Sequence, residues 1–301
     1  MVALTGLIKP CYVFAPRTMA RRIGMRLFAA KRTVASVRLP WGAALEVDAG
    51  EGIGRELLHQ NIFDIAVSET AWRLLKPGDV VVDVGANIGY MTSLFAARVG
   101  AAGSVEAFEP HPRVFARLER NVERLRPDGT FGSIRIHRVA LGGRDGAAQL
   151  LEPASFNMNQ GASTVAPGDA GSISGPGLEI AMARFDSLLG DRDVALLKVD
   201  VEGFEGEVLA GARCALAQGR IHNIIYEAHD CERSGLHSLL SAQGYSVFGV
   251  GHDLLGPKLT TGASPPRVDR GWESPSYLAT RHPLAVQSAL RRRGWQVLRA
   301  C

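Results

Sequence analysis

The stretch VVVDVGANIGY, residues 80–90, decides the fold of this chain of 301 residues. Its first half, residues 80–84, is a run of mostly β-branched side chains, which is typical of a central parallel strand that is buried on both faces. Gly85 and Gly89 then allow a tight turn and a close approach of the backbone to a ligand. A helix that begins at Tyr90 would point its first backbone N–H groups at the same ligand. The stretch therefore predicts a strand, a ligand-binding turn and a helix in direct succession.

The sequence on either side continues this alternation of strands and helices. Four further strands are expected, over residues 104–108, 134–141, 194–199 and 223–226. Helices are expected over residues 68–75, 90–99, 112–125, 205–217 and 234–243. Strands that alternate with helices imply right-handed crossovers and a mainly parallel sheet. The predicted fold class is therefore α/β and doubly wound, and residues 245–250 and 276–279 are expected to close the sheet as an antiparallel pair.

Glu109 ends the second strand of this series, 20 residues after Gly89. At about that separation an acidic side chain can accept both hydroxyl groups of an unphosphorylated ribose. Met91 and Thr92 stand where a dinucleotide-binding loop has its third glycine, and the turn lacks the Gly-Lys-Ser/Thr of a phosphate-binding loop. The residues thus predict a nucleoside ligand. A nicotinamide-dependent oxidoreductase remains an alternative.

Four stretches of this chain together resemble the FkbM family of methyltransferases. They are VVVDVGANIGY (80–90), EAFEPHP (106–112), LLKVDVEGFEGEVLAGA (196–212) and IIYEAH (224–229). The resemblance covers about residues 60–250. It implies a class I methyltransferase fold, which is Rossmann-like and has a seven-stranded sheet with an antiparallel last strand. It also implies S-adenosylmethionine as the methyl donor and transfer to a hydroxyl oxygen of a small molecule, a sugar, or a glycan or glycolipid.

The resemblance also assigns cofactor residues by position. Those around the methionine half of S-adenosylmethionine are Asp83, Gly85, Ala86, Asn87 and Gly89, with Glu109 at the ribose and Ala140 near the adenine. His111 is interpreted as the residue at which a helix begins. No metal is assigned, because the four cysteines lie far apart without a C-x-x-C pair. A metal completed by carboxylates at the acceptor side stays a minor alternative.

The tips of neighbouring parallel strands meet at one edge of a sheet, where ligands bind. The sequence KVDVEGFE, residues 198–205, and Glu227 follow two more of these tips. A carboxylate there could remove the proton of an acceptor hydroxyl, so Asp200 is the first catalytic candidate, followed by Glu202 and Glu227. The alternative is that these acids only brace the loop, and Glu205 is expected at the positive end of the next helix.

Residues 142–177 are rich in Gly, Ser, Ala and Pro and are expected to help to form the acceptor pocket. A hairpin is expected over residues 147–151 and an edge strand over residues 179–185. The side chains that could face the acceptor are those of Met158, Asn159, Gln160 and Ser163.

The charge of the chain is unevenly distributed. Its net charge is +4, yet residues 1–40 hold eight Lys or Arg and no acid, and residues 281–301 hold five Arg and no acid. The part between carries a net charge of −9. We therefore expect three parts: a basic N-terminal arm with short strands (1–60), a methyltransferase domain (61–281) and a basic C-terminal helix (282–301).

Two interpretations of the basic ends stay open. They could form solvated amphipathic helices that pack on the body, or they could contact an anionic partner, with residues 16–33 as the candidate for peripheral membrane contact. Nucleic acid is not an expected partner, because the body is acidic and the Asn/Asp-Pro-Pro-Tyr/Phe motif of base methylation is absent from the sequence. A nucleic-acid-directed methyltransferase is accordingly only an alternative. Oligomeric state is not predicted.

The expected compartment is the cytoplasm. The four cysteines form no disulfide framework in their spacing, and no run of residues reaches the length that a membrane-spanning helix needs. The positive charges follow the apolar start of the chain, which is the wrong order for a secretory signal peptide.

Overall fold

A computed structural model describes residues 10–14, 34–126, 129–153, 156, 163–165, 177–228, 235–261 and 275–299 of the chain. The helices in these ranges are α1 (Pro10–Phe14), α2 (Gly52–Gln60), α3 (Ile65–Leu74), α4 (Tyr90–Val99), α5 (Pro112–Leu125), α6 (Phe185–Leu189), α7 (Glu205–Gly211), α8 (Arg213–Ala217), α9 (Leu236–Ala242) and α10 (Pro283–Leu290). A short 3₁₀ helix covers Val297–Arg299.

The strands follow the same chain order. They are β1 (Val34–Arg38), β2 (Ala44–Asp48), β3 (Val80–Val84), β4 (Ser104–Phe108), β5 (Ser133–His137), β6 (Ala140–Leu141), β7 (Gly146–Leu151), β8 (Thr164–Val165), β9 (Leu178–Ala183), β10 (Leu196–Val199), β11 (Asn223–Glu227), β12 (Ser246–Asp253), β13 (Gly256–Thr260) and β14 (Ser276–Thr280). Among the described residues, β1 and β2 pair only with each other.

The central sheet has the order β13-β12-β14-β11-β10-β3-β4-β5. Five neighbouring strands of this sheet run parallel, namely β11, β10, β3, β4 and β5. β14 is antiparallel to both β11 and β12. The α/β class, the parallel order and the antiparallel last strand are thus confirmed. The expected number of seven strands is wrong, because the sheet contains eight in the described ranges. The eighth is β13, which pairs with β12 as a hairpin.

The extra strand escaped the sequence pattern because it contains Gly256 and Pro257, which are typical of loops. Pro257 is tolerated because β13 is an edge strand, where a missing N–H leaves no central ladder broken. The turn of this hairpin presents two exposed leucines, Leu254 and Leu255.

The start of α3 differs from the expected one. The helix was expected to begin at residue 68, but α3 begins at Ile65, and Asp64 caps it by accepting a hydrogen bond from the backbone N–H of Val67 at 3.1 Å. Ser68 is instead fully buried and donates its hydroxyl to the carbonyl of Phe63. The helix before it, α2, was not predicted.

The region after β5 forms a second, smaller sheet. The strand expected over residues 134–141 is split into β5 and β6, and β6 belongs to a four-stranded sheet of order β6-β9-β7-β8. The residues expected to form a hairpin form the single strand β7, which pairs in antiparallel register with β9. The strand expected at the edge is also wrong in its position, because β9 lies between β6 and β7. The helix expected over residues 205–217 is likewise divided into α7 and α8, because the backbone of Ala212 leaves the helical region between them.

Apolar side chains fill the space on both faces of the central sheet, and their burial is the main stabilising term of the fold. One face packs against α3, α4 and α10 through residues such as Leu94, Phe95 and Leu290. The other face packs against α7, α9 and the small sheet through residues such as Val208 and Leu240. Within the described ranges, no helix combines the length and the apolar character needed to cross a bilayer.

The two basic ends are described only in part. The arm segment over residues 16–33 lies outside the described residues. Of the helix expected over residues 282–301, the structure has Pro283–Leu290 in α10 and the short turn at Val297–Arg299.

Candidate active site

The carboxyl ends of β3, β4, β10 and β11 converge on one cavity of about 400 Å³. Residues from all four strand tips line it: Val84, Gly85, Ala86, Asn87, Phe108, Glu109, Pro110, His111, Lys198, Asp200, Val201, Glu202 and Glu227. Most of the predicted site residues therefore lie in a single cavity. Asp83 and Gly89 do not line it.

Gly85 has to be a glycine because of its backbone and its neighbour. Its φ is +76°, and a Cβ built on it would lie 1.9 Å from the carbonyl oxygen of Asp200. The backbone N–H groups of Gly85 and Ala86 both donate to the carbonyl of Phe108 at 3.0 Å. The turn after β3 is therefore packed tightly between the ends of β4 and β10.

Asp83 supports this turn from below. Its side chain is fully buried, and its Oδ2 accepts a hydrogen bond of 2.6 Å from the hydroxyl of Thr92 in the first turn of α4. Burial raises the pKa of Asp83, against the opposing effect of the Lys198 ammonium. Gly89 is the N-cap of α4 with a φ of +92°.

Glu109 lies at the floor of the cavity with 8% of its surface exposed. Its two carboxylate oxygens accept hydrogen bonds from the backbone N–H groups of Asn87 at 3.0 Å and His111 at 2.9 Å. Burial raises the pKa of Glu109 to about 7, and the two N–H donors only partly oppose that rise. The carboxylate is thus fixed in orientation, and its remaining lone pairs are available to hydroxyl donors.

Lys198 is a site residue that the sequence reasoning missed. Its ammonium donates to Asp200 Oδ2 at 2.9 Å and to the carbonyl of Gly85 at 3.3 Å, and it lies 3.8 Å from Asp83 Oδ1. Burial opposes the charge, but the carboxylates of Asp200 and Asp83 outweigh it and raise the pKa of Lys198. A lysine within the apolar strand LLKV was the available signal, because a buried cation needs a buried partner.

Glu227 stands beside Asp200 at the tip of the adjacent strand. β10 and β11 are in parallel register with Val199 opposite Tyr226, so the next residues of the two chains are neighbours. Burial raises the pKa of Glu227, and the carboxylates of Asp200 and Asp64 raise it further. This end of the cavity therefore holds a group of acids around one ammonium.

The loop after β10 carries the other two predicted acids. Glu202 lines the cavity, and its backbone has a φ of 51°. Its carbonyl accepts the hydroxyl of Thr164 from β8. Glu205 is buried, and its Oε1 accepts the backbone N–H groups of Val201 and Gly203, so this side chain braces the loop.

The other end of the cavity is apolar. It is lined by Phe108, Val139, Ala140, Leu141, Leu150, Val165 and Phe204. His111 borders this end. It is the N-cap of α5, and its Nδ1 accepts a hydrogen bond from the backbone N–H of Arg113. Its interpretation as the residue at which a helix begins is therefore confirmed. Its ring stacks on Phe156 with 4.5 Å between centroids.

The mouth of the cavity is bordered by residues that the sequence analysis did not single out. Ile53 and Arg55 come from α2, and Phe63 precedes α3. Of the four candidates for the acceptor pocket, Ser163 lines the cavity. Met158, Asn159 and Gln160 lie outside the described residues.

The polar atoms of the cavity fit a ligand that carries N–H and O–H donors. Asn87 Oδ1 and Ser163 Oγ are buried and have no hydrogen-bond partner within the described part of the chain. S-adenosylmethionine would bring an ammonium group, two ribose hydroxyls and an adenine ring, which match these acceptors, Glu109 and the apolar end. Among the residues that the structure describes, no three His, Cys, Asp or Glu side chains are grouped as metal ligands.

Comparison with known proteins places these residues in a family context. A family model described as the methyltransferase FkbM domain matches residues 83–247. The 31-O-demethyl-FK506 methyltransferase FkbM of Streptomyces tacrolimicus is 34% identical over 71% of this chain and 90% of its own length. The hexuronic acid methyltransferase AglP of Haloferax volcanii is 31% identical over 56% of this chain and 65% of its own length. A crystal structure of a methyltransferase FkbM from Methylobacillus flagellatus KT is 17% identical, with 69% of this chain and 47% of that chain covered and a TM-score of 0.43.

Proposed function

This chain belongs to the FkbM family of S-adenosylmethionine-dependent methyltransferases, and we propose that it methylates a hydroxyl oxygen of a saccharide or a saccharide-like small molecule. The membership excludes the alternative of a nicotinamide-dependent oxidoreductase. The saccharide class is supported by the name of the Haloferax relative. It is also supported by the acid-rich end of the cavity, because carboxylates accept hydrogen bonds from the several hydroxyls of a sugar.

One observation carries the proposal. Glu109 and Asp200 come from different strand tips and line the same cavity. A ribose bound at Glu109 would therefore share that cavity with the carboxylate proposed to meet the acceptor. In such an in-line displacement, alignment of acceptor, methyl group and sulfur contributes most of the rate.

The cofactor would be held by the residues of the first two strand tips. Glu109 would accept hydrogen bonds from the two ribose hydroxyls, and Asn87 Oδ1 would accept one from the ammonium of the methionine half. Gly85 and Ala86 would let the backbone approach that half, and Ala140 would lie near the adenine at the apolar end. Asp83 and Gly89 act indirectly, since they shape the turn and the start of α4.

S-adenosylmethionine supplies an electrophilic methyl group on its sulfonium. Asp200 would accept the proton of the acceptor hydroxyl, while the cofactor would supply the methyl group to the oxygen and leave as S-adenosylhomocysteine. Lys198 is a positioning residue, because its ammonium holds Asp200 Oδ2 at 2.9 Å. Glu227, whose raised pKa favours the protonated form, donates a hydrogen bond to the acceptor, and Glu202 contacts the acceptor at the mouth.

The test combines binding and turnover in one variant pair. Asp200→Asn should bind S-adenosylhomocysteine in calorimetry nearly as tightly as the wild type, while transfer of labelled methyl groups to a panel of sugars and sugar acids falls at least 100-fold, roughly the general-base contribution. Glu207→Gln is the matched control, because Glu207 is exposed on α7 and does not line the cavity. A large loss of cofactor affinity in Asp200→Asn would place Asp200 in the cofactor site instead.

Other expectations from the sequence stay predictions. Membrane contact through residues 16–33 concerns a segment outside the described residues, and the cytoplasmic location is likewise untested. Nucleic acid remains an unexpected partner, because the net charge of residues 41–280 is −9.

A further inference from the structure

A second cavity, of about 470 Å³, lies between the β12–β13 hairpin and the end of α10. Four cationic side chains line it, and we name them the basic rim: Lys258, Arg291, Arg292 and Arg293. Asp253 is the acid that accompanies them in the lining, and it pairs with Lys258 at 3.1 Å. The rim therefore carries a clear excess of positive charge.

The three arginines of the basic rim are exposed. Within the described part of the chain, none of their guanidinium groups has an ion pair or a hydrogen bond. Unpaired guanidinium groups at adjacent positions repel one another, so an external anion would be a favourable partner for them.

A buried ion pair holds the backbone of this segment in place. Arg73 donates from its guanidinium to the carbonyls of Arg292 and Gly294, and Glu69 binds Arg73 Nε at 2.6 Å. Glu69 also accepts the backbone N–H groups of Gln296 and Val297 at 2.8 Å each. Both side chains of the pair are almost fully buried. The arginines are thus presented by a fixed loop.

Exposed leucines accompany the basic rim. Leu254 and Leu255 form the turn of the β12–β13 hairpin and are 38% and 43% exposed. Backbone contacts tie this turn to the arginine segment, because Gly294 N–H donates to Leu255 O and Trp295 Nε1 donates to Leu254 O. Leu284 lies in the first turn of α10 and is 82% exposed. Arg291, the C-cap of α10, follows seven residues later, which is about two helical turns. Cations and exposed apolar side chains therefore share one surface.

This surface lies at the same edge of the sheet as the active-site cavity. β12 pairs antiparallel with β14, and β14 pairs antiparallel with β11, so β11 and β12 end at the same edge. Glu227 ends β11 at the cavity, and the Leu254–Leu255 turn follows β12. A planar partner bound to the basic rim would lie beside the mouth of the active site.

We propose that the basic rim, with Leu254 and Leu255, docks this enzyme on the surface of an anionic lipid bilayer. Arginines bind the headgroup phosphates, and the two leucines enter the boundary between headgroups and acyl chains. A free phosphate would not account for the leucines. A nucleic acid would gain from the arginines but would leave the leucines in water. The docked orientation exposes the active site to acceptors at the membrane surface.

The test is sedimentation of the full chain with vesicles of phosphatidylcholine alone and of an equimolar mixture with phosphatidylglycerol. The wild type should bind the mixed vesicles and not the neutral ones. The triple variant Arg291→Gln/Arg292→Gln/Arg293→Gln should bind them on the order of 100-fold more weakly. Leu254→Ser/Leu255→Ser should also weaken binding, by roughly tenfold. The matched control Arg126→Gln/Arg138→Gln/Arg144→Gln removes three exposed arginines outside this surface and should bind like the wild type.

Thermal unfolding and cofactor binding of every variant establish that it is folded. The proposal is overturned if the wild type does not bind the mixed vesicles, or if the triple variant binds them as well as the control does. It is also overturned if the arginine variants lose affinity for inorganic phosphate or for duplex DNA but not for vesicles. Those results would assign the rim to a small anion or to nucleic acid.

Discussion

Glu109 makes cofactor binding depend on pH in a way that can be calculated. Its buried carboxyl has a pKa raised to about 7, and the ribose hydroxyls need the ionised form as their acceptor. Binding of S-adenosylhomocysteine must therefore displace the proton from Glu109 wherever the free protein still carries it. Affinity should rise with pH until the free carboxyl is ionised.

The magnitude follows from linkage. With a pKa of about 7, only about one Glu109 in a hundred is ionised at about pH 5, against nine in ten at about pH 8. The affinity for S-adenosylhomocysteine should therefore be roughly 90-fold weaker at the lower pH, which corresponds to about 2.7 kcal/mol. At about pH 6, binding should also release close to one proton per molecule bound.

Isothermal titration calorimetry measures both quantities, with two buffers of different ionisation enthalpy to count the released protons. Glu109→Gln should bind weakly at every pH and lose the slope. His111→Asn should keep the slope, because the contact of His111 to Glu109 is made by its backbone N–H and asparagine is a good N-cap. An affinity that stays within a factor of about two over this range, or a slope that survives in Glu109→Gln, would show that Glu109 does not control cofactor binding through its ionisation.

Three further predictions concern stability and turnover. Without cofactor, the raised pKa of Glu109 stabilises the folded state while the carboxyl is protonated, so the free energy of unfolding should fall by about 2.5 kcal/mol between about pH 5 and about pH 8, and Glu109→Gln should lack this loss in urea titrations. Lys198→Met removes the buried partner of two carboxylates, so it should lower the free energy of unfolding by about 3–5 kcal/mol. It should also move the acid limb of the pH–rate profile to higher pH. A pH–rate profile of unchanged shape would leave Lys198 a purely structural role. Glu69→Ala should cost about 3–5 kcal/mol in urea unfolding, because it strands the buried Arg73, whereas Arg124→Ala, which breaks an exposed pair with Glu46, should cost less than about 1 kcal/mol; equal losses would contradict the assigned weight of the buried pair.

The central strands were predictable because their apolar residue composition indicates that they are buried. β3, β4 and β11 are short segments rich in apolar residues (VVVDV, SVEAF and NIIYE), with a glycine or a glutamate at or directly after the end of each, and the structure places them within one residue of the expected bounds. The meeting of their tips follows from parallel topology alone. For that reason Glu109, Asp200 and Glu227 could be assigned to one cavity before any coordinates were known.

The residues that were missed depend on tertiary contacts. The role of Lys198 depends on its ion pairs with Asp200 and with Asp83 on the neighbouring strand. The pairing register that brings Lys198 beside Asp83 cannot be read from either strand by itself.

The borders of the site were also harder to predict. α2 places Arg55 at the mouth of the cavity, but the glycines and polar residues of α2 give a weak helical pattern. Gly54 has to be a glycine, because the carbonyl oxygen of Asp48 occupies the position of a Cβ. Likewise the N-cap of α3 is Asp64 in a left-handed conformation, three residues before the expected start of the helix. Local propensity decides such points less than packing does.

The decisive measurement is a structure of the protein with bound S-adenosylhomocysteine. Both ribose hydroxyls should lie within hydrogen-bond distance of the Glu109 carboxylate, the adenine should contact Ala140, and the sulfur should face the Asp200–Lys198 pair across the space left for the methyl group. A nucleoside bound away from Glu109, or a sulfur that faces away from Asp200, would contradict this arrangement.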